Sequence, residues 1–239
     1  MTDSWHLIDI YPNGQRRCPG MRITRTFALT AAHQLTKKTV AGDRVKARLA
    51  PDGKKIDAVV TRRHLTSDLA LLKLELQDEY GSLVGVCFDD AQDEESWRTT
   101  FEDPATHMPL TGTVDASSIL YGKSQDNLEV KAARLACDVS PPGQSAYAGS
   151  PVERSSRYPL PVTLGLLVKQ SELPAADQEK LFAITIREVI RLLGFLGLES
   201  EVMPEGEWPD PSLDHPFRVV EFERQSHVKQ VWHNRLPKN

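Results

Sequence analysis

Ala28-Leu29-Thr30-Ala31-Ala32-His33 opens as an apolar strand, passes through small residues and stops on a histidine. Around it, short runs rich in Val, Ile, Leu, Thr and aromatics alternate with turn residues, the pattern of an all-β chain. That pattern predicts strands over residues 5–10, 21–24, 27–30, 45–49, 56–61, 69–75 and 84–88. Ala41-Gly42-Asp43 separates the third from the fourth, and Pro51-Asp52-Gly53 the fourth from the fifth; both are good turn sequences. One strand of this set is preceded by an acid: Thr66-Ser67-Asp68-Leu69-Ala70-Leu71-Leu72-Lys73-Leu74.

Further along, residues 89–106 turn acidic, with Asp89, Asp90, Asp93, Glu94, Glu95, Glu102 and Asp103, and are read as a solvated connector. A second strand set is predicted over 110–116, 128–135, 150–153, 160–168 and 181–184. Its third strand is entered through a turn of small residues, Ser145-Ala146-Tyr147-Ala148-Gly149-Ser150-Pro151-Val152. Ile186, Val189, Ile190 and Leu193 then recur at helical spacing, which predicts a helix over about 186–195, with Gly194 and Gly197 near its end. Pro204, Pro209, Pro211 and Pro216 among many acids mark 199–216 as linker. The tail 217–231 alternates weakly, as an extra strand or the start of a further region. The expected division is a β-barrel over 1–90, the acidic connector 91–106, a second barrel with closing helix over 107–197, and a linker and tail of uncertain structure over 198–239.

Composition excludes several classes. The chain of 239 residues is 40% hydrophobic, enough for one large or two small cores. With 29 basic against 33 acidic residues, binding of nucleic acid by bulk charge is not expected. No apolar run approaches the ~20 residues of a membrane helix. Cys18, Cys87 and Cys137 are odd in number and widely spaced, which supports neither a zinc ribbon nor a disulfide framework. Residues 1–6 lack the basic head and apolar run of a secretory signal, so a reduced, cytoplasmic setting is expected. His33 and His64 lie in separate segments with no third ligand at zinc spacing, and His227 and His233 have no nearby cysteine, so no metal is expected. Neither Gly112 nor Gly122 belongs to a phosphate-binding glycine loop, and no cofactor is expected.

Taken singly, the three segments are weak signals. In this order, Leu-Thr-Ala-Ala-His, Ser-Asp-Leu-Ala-Leu-Leu, and Ala-Gly-Ser-Pro-Val followed by Leu164-Gly165-Leu166-Leu167, they resemble a trypsin-like serine protease of the chymotrypsin fold over about residues 1–195. The resemblance implies two antiparallel β-barrels with a catalytic cleft between them and a C-terminal helix. It assigns His33 as general base and Asp68 as the carboxylate that orients it. The nucleophile position is 148, and the residue there is Ala148. A methyl cannot attack a carbonyl, so an inactive chain is expected, either a serine replaced by alanine or a natural pseudoprotease that binds a peptide or partner. Ser145 and Ser150 are displaced by three and two residues and are not expected to substitute. The oxyanion hole is expected from the backbone N–H groups of Ala146 and Ala148; alanine at 146, where the family usually has glycine, resists positive φ.

Tyr147 stands where secreted relatives carry an aspartate that pairs with a new N-terminus, so control by a regulatory domain or partner protein is expected instead. Substrate-binding candidates are Pro142, Tyr147, Val168, Lys169 and Gln170, and the absence of an acid at Pro142 gives no support for Arg/Lys selectivity. The expected ligand is a protein or peptide, with no nucleic acid and no membrane. By analogy alone, such domains resemble those joined to sensor or effector modules in bacterial defence.

Overall fold

The computed structural model describes residues 7–12, 17–24, 26–49, 53–76, 87–101, 108–123, 129–138, 146–155, 162–168, 180–195 and 217–218. Six antiparallel strands form the first barrel: β1 (Leu7–Tyr11), β2 (Cys18–Arg22), β3 (Phe27–Ala31), β4 (Arg44–Leu49), β5 (Lys55–His64) and β6 (Leu69–Glu75). They close in the order β1-β2-β3-β6-β5-β4. Period-two alternation shows where one face meets solvent: in β4, Val45, Ala47 and Leu49 are buried while Arg44 and Lys46 are exposed.

β3 and the first half of β6 depart from that alternation, for a reason that positions the site. Ala28, Ala70, Leu72 and Leu74 fill the first barrel. Phe27, Leu29, Leu69 and Leu71 point the other way, into a cluster shared with the second barrel. A strand buried on both faces must be apolar at nearly every position. The continuous apolar runs that lead into His33 and out of Asp68 therefore mark the strands between the two barrels. Each leucine in this layer contributes roughly 1.5–3 kcal/mol by leaving water.

β7 (Cys87–Phe88) leads into the second set: β8 (Ser96–Thr99), β9 (Thr111–Lys123), β10 (Glu129–Cys137), β11 (Pro151–Arg154), β12 (Val162–Val168) and β13 (Leu181–Thr185). The order β11-β8-β9-β10-β13-β12 is closed by a β11–β12 pairing, and β7 joins β12 in parallel. β14 (Phe217–Arg218), in the stretch read as a possible extra strand, pairs with β7. The expected strand over 84–88 is described only at β7.

The acidic stretch differs from its reading as a solvated connector. β8 runs through it and pairs with β9 and β11. Trp97 is fully buried and Phe101 nearly so. Four of its acids are held on the barrel wall by specific partners. Asp89 and Glu95 both pair with Arg154, and Asp90 pairs with Arg187. The Ser117 hydroxyl, together with the Ser117 N–H that Asp93 accepts at 2.6 Å, holds the Asp93 carboxyl below the ordinary range.

α1 (Ile186–Phe195) matches the predicted helix. The Thr185 hydroxyl caps it by accepting the Glu188 N–H at 3.3 Å, the Thr-x-x-Glu spacing of a capping box. Glu188 also accepts the Lys131 N–H of β10 at 3.0 Å, and Ile186, Val189 and Leu192 pack into the inter-barrel cluster. Among the described residues, no helix is long and apolar enough to cross a membrane.

Candidate active site

Strand ends deliver the predicted residues to one place. β3 runs directly into a single 3-10 turn, Ala32–Gln34, which carries His33. Asp68 closes the turn between β5 and β6, in the left-handed region with φ 54°. Aspartate is among the few non-glycine residues that tolerate this conformation.

The two segments are locked by three bonds from one residue. The Asp68 carbonyl accepts the Ala32 N–H at 2.8 Å. Its Oδ1 accepts the His33 backbone N–H at 2.9 Å. Its Oδ2 lies 2.7 Å from His33 Nδ1. Asp68 is 8% exposed, so its carboxylate acts at short range with little screening by water. With Nδ1–H directed at the carboxylate, the neutral ring carries its lone pair on Nε2. That Nε2 is buried and has no hydrogen-bond partner among the described residues.

Position 148 belongs to the same neighbourhood. Gln34, the residue after His33, donates from Nε2 to the Ala148 carbonyl at 3.2 Å. The turn around Ala148 is closed by the Ser150 N–H on the Tyr147 carbonyl at 2.9 Å. It is tied to β12 by the Gly149 N–H on the Leu167 carbonyl at 2.7 Å. Gly149 has φ +95° and lies against Pro19, Thr30 and Ala31 of the first barrel, so this turn touches both halves of the chain.

The remaining candidates fall elsewhere. The Tyr147 ring is buried, edge-on to Phe101, and its hydroxyl donates to the Met108 carbonyl at 3.1 Å. Val168 packs its side chain into the inter-barrel cluster. Pro142, Lys169 and Gln170 lie outside the described residues. Among the described residues, no group of three or more His, Cys, Asp or Glu is placed to hold a metal.

Sequence reasoning missed the residues that brace these turns. Arg63 donates to the carbonyls of Ala32 at 2.9 Å and Thr36 at 3.3 Å, and also to that of Thr39, gathering the loop that follows His33. Its neighbour His64 meets the Ser67 hydroxyl at 2.6 Å through Nδ1 and accepts the Ser67 N–H at 3.3 Å, bracing the turn that carries Asp68. The only signal was the polar run Thr61-Arg62-Arg63-His64 that ends β5. Gln34 had no signal beyond adjacency to His33.

Neither a family model nor a curated protein sequence matches the chain. Solved structures do. The chain is similar to the Rv3671c protease from M. tuberculosis in its active form, at 17% identity and a TM-score of 0.57, covering 82% of this chain and 82% of that one. It is similar to the inactive form of that protease, at 16% identity and a TM-score of 0.56, covering 82% and 90%. It is also similar to a serine-to-alanine mutant of it in the inactive form, at 18% identity and a TM-score of 0.57, covering 85% and 91%. At this level of identity the likeness establishes the fold, that of the chymotrypsin-like proteases.

Proposed function

We propose that the chain is a serine endopeptidase domain of the trypsin-like type whose nucleophile position holds Ala148, leaving it able to bind a peptide but not to cleave it. The observation that carries this reading is the state of His33: Nδ1 is 2.7 Å from Asp68 and Nε2 is buried without a partner among the described residues, on the turn whose next residue bonds to Ala148. A serine at 148 would give Nε2 a hydroxyl proton to remove. Asp68 would hold the ring in the right tautomer and stabilise its charged form, and backbone N–H groups at Ala146 and Ala148 would receive the developing oxyanion. No such proton exists on a methyl, so no acyl-enzyme forms.

Ala148 has two origins under this proposal, a replaced serine or a natural pseudoprotease, and the first is favoured by a histidine–aspartate pair still arranged for proton transfer. The ligand is a protein or peptide segment, gated by a regulatory domain or partner protein in a cytoplasmic, bacterial-defence type of setting. That setting rests on resemblance. The test is Ala148→Ser with a fluorophosphonate probe. Labelling that disappears with His33→Ala supports a disabled protease. No labelling in the Ala148→Ser chain supports the peptide-binding pseudoprotease.

A further inference from the structure

The residue before position 148 is held by a chain of side chains that begins in the other barrel. On β1, Ile8 and Ile10 fill the first barrel, so Leu7 and Asp9 face outward. Leu7 joins the second barrel's cluster beside Phe101 and Tyr147. Asp9 is buried and takes two guanidinium groups, Arg17 Nε at 2.7 Å and Arg48 Nη2 at 2.7 Å. Arg17, anchored there, lies over the Phe101 ring with Cζ 4.8 Å from the centroid, inside the range of a cation–π contact. Phe101 in turn meets Tyr147 at 6.0 Å and 88°, the favoured edge-to-face geometry. Tyr147 is fixed at its far end by the Met108 carbonyl.

We propose that Arg17, Phe101 and Tyr147 are positioning residues for the 146–149 turn, with Arg17, clamped on Asp9, pressing the Phe101–Tyr147 pair into the place that sets the backbone leading into position 148. Tyr147 Cα adjoins the peptide that carries the Ala148 N–H, and the peptide that carries the Ala146 N–H lies one residue further back, so the clamp acts directly on the first and through Ala146 on the second. An aromatic clamp that is already closed does for this turn what an ion pair to a distant charged group would otherwise do. Its functional consequence rests on the protease reading above; its effect on the turn does not.

The test has two arms, both on the full chain. In the first, amide hydrogen exchange is followed at Gly149 and Ser150, whose N–H groups bond to Leu167 and Tyr147. Arg17→Gln and Phe101→Leu raise exchange at these two amides about tenfold while the β10–β13 amides stay unchanged, and Arg17→Lys restores most of the protection. Exchange at Gly149 and Ser150 that is unchanged in Arg17→Gln, or that rises equally in β10–β13, overturns the clamp. Arg17 is partly exposed, so Arg17→Gln keeps this arm decisive even where Phe101→Leu fails to fold. The second arm places Arg17→Gln in the Ala148→Ser chain and separates probe affinity from the limiting phosphonylation rate. The limiting rate falls about tenfold and half-saturation holds, and Arg17→Lys recovers it. An Ala148→Ser chain inert to the probe defeats the protease reading and leaves the exchange arm to decide the clamp. A reactive chain in which Arg17→Gln changes neither rate nor exchange defeats the clamp alone.

Discussion

Gly149→Ala and Gly42→Ala together weigh the contact between the 147–150 turn and the first barrel. Both glycines have φ +95°, so both substitutions force an alanine into the same unfavourable backbone region. That costs about 1–2 kcal/mol, offset by about 0.4–1 kcal/mol because the unfolded chain loses freedom. At Gly42 nothing else opposes the new methyl, since no atom lies within 4 Å of its Cβ. The net cost there is roughly 0–1.5 kcal/mol. At Gly149 the Cβ would lie 2.4 Å from the Pro19 carbonyl oxygen, 2.7 Å from Thr30 Oγ1 and 3.1 Å from Ala31 N. Two of these are backbone atoms of β2 and β3, and the third is a hydroxyl already donated to Pro19 at 2.8 Å. None can swing aside as a flexible side-chain tip would, so the turn and the barrel must separate, an overpacking cost of about 1–3 kcal/mol more. Urea unfolding followed by tryptophan fluorescence reads the difference. With a slope of about 2 kcal/mol per M, Gly149→Ala loses ~0.5–1.5 M of midpoint beyond Gly42→Ala. Midpoints that agree within ~0.2 M would show that this turn does not press on the first barrel as described.

In the Ala148→Ser chain, Asp68→Asn reduces fluorophosphonate labelling about 10³–10⁴-fold, as a carboxylate that sets the histidine tautomer requires; a loss under about tenfold removes Asp68 from that role. Thr185→Ala removes the hydroxyl that caps α1 and costs about 1 kcal/mol in unfolding experiments, and a neutral result would show the cap to be idle. Burial pushes the Cys137 thiol up to about 11, with Asp138 adding to the shift and Lys180 opposing it. Its alkylation by iodoacetamide at pH 8, followed by peptide mass spectrometry, is therefore about a hundredfold slower than that of a free cysteine peptide and is still rising at pH 10. The neutral thiol is the form favoured by folding, so its contribution to stability is full below pH 9 and fades as pH rises towards 11.

Much of the fold was legible because burial writes itself into residue type. β6 and α1 were read at their observed bounds, and β3 within one residue. β9 extends well past its predicted end because Asp115, Ala116, Ser117 and Ser118 lie on a half-exposed wall where polar residues suffice. The acidic stretch was misjudged because averaging its charge hid Trp97 and Phe101, the two residues that anchor it. At the site, His33 and Asp68 were readable because each adjoins a strand buried on both faces. Arg63, Gln34 and the Arg17–Phe101–Tyr147 contact were not. Each joins positions far apart in the chain through long polar or aromatic side chains, and no local periodicity records such a meeting.

Asp68 divides its carboxylate between two duties, and only one of them concerns chemistry. Oδ1 secures a main-chain amide, a task that the side-chain oxygen of asparagine performs as well, and asparagine also accepts a left-handed φ. Oδ2 faces an imidazole nitrogen, and there a full negative charge differs from a neutral amide. Drift in a lineage that had abandoned hydrolysis would therefore meet almost no barrier between the two residues at this position. The negative charge that Asp68 places opposite His33 is a feature that loop architecture alone does not demand.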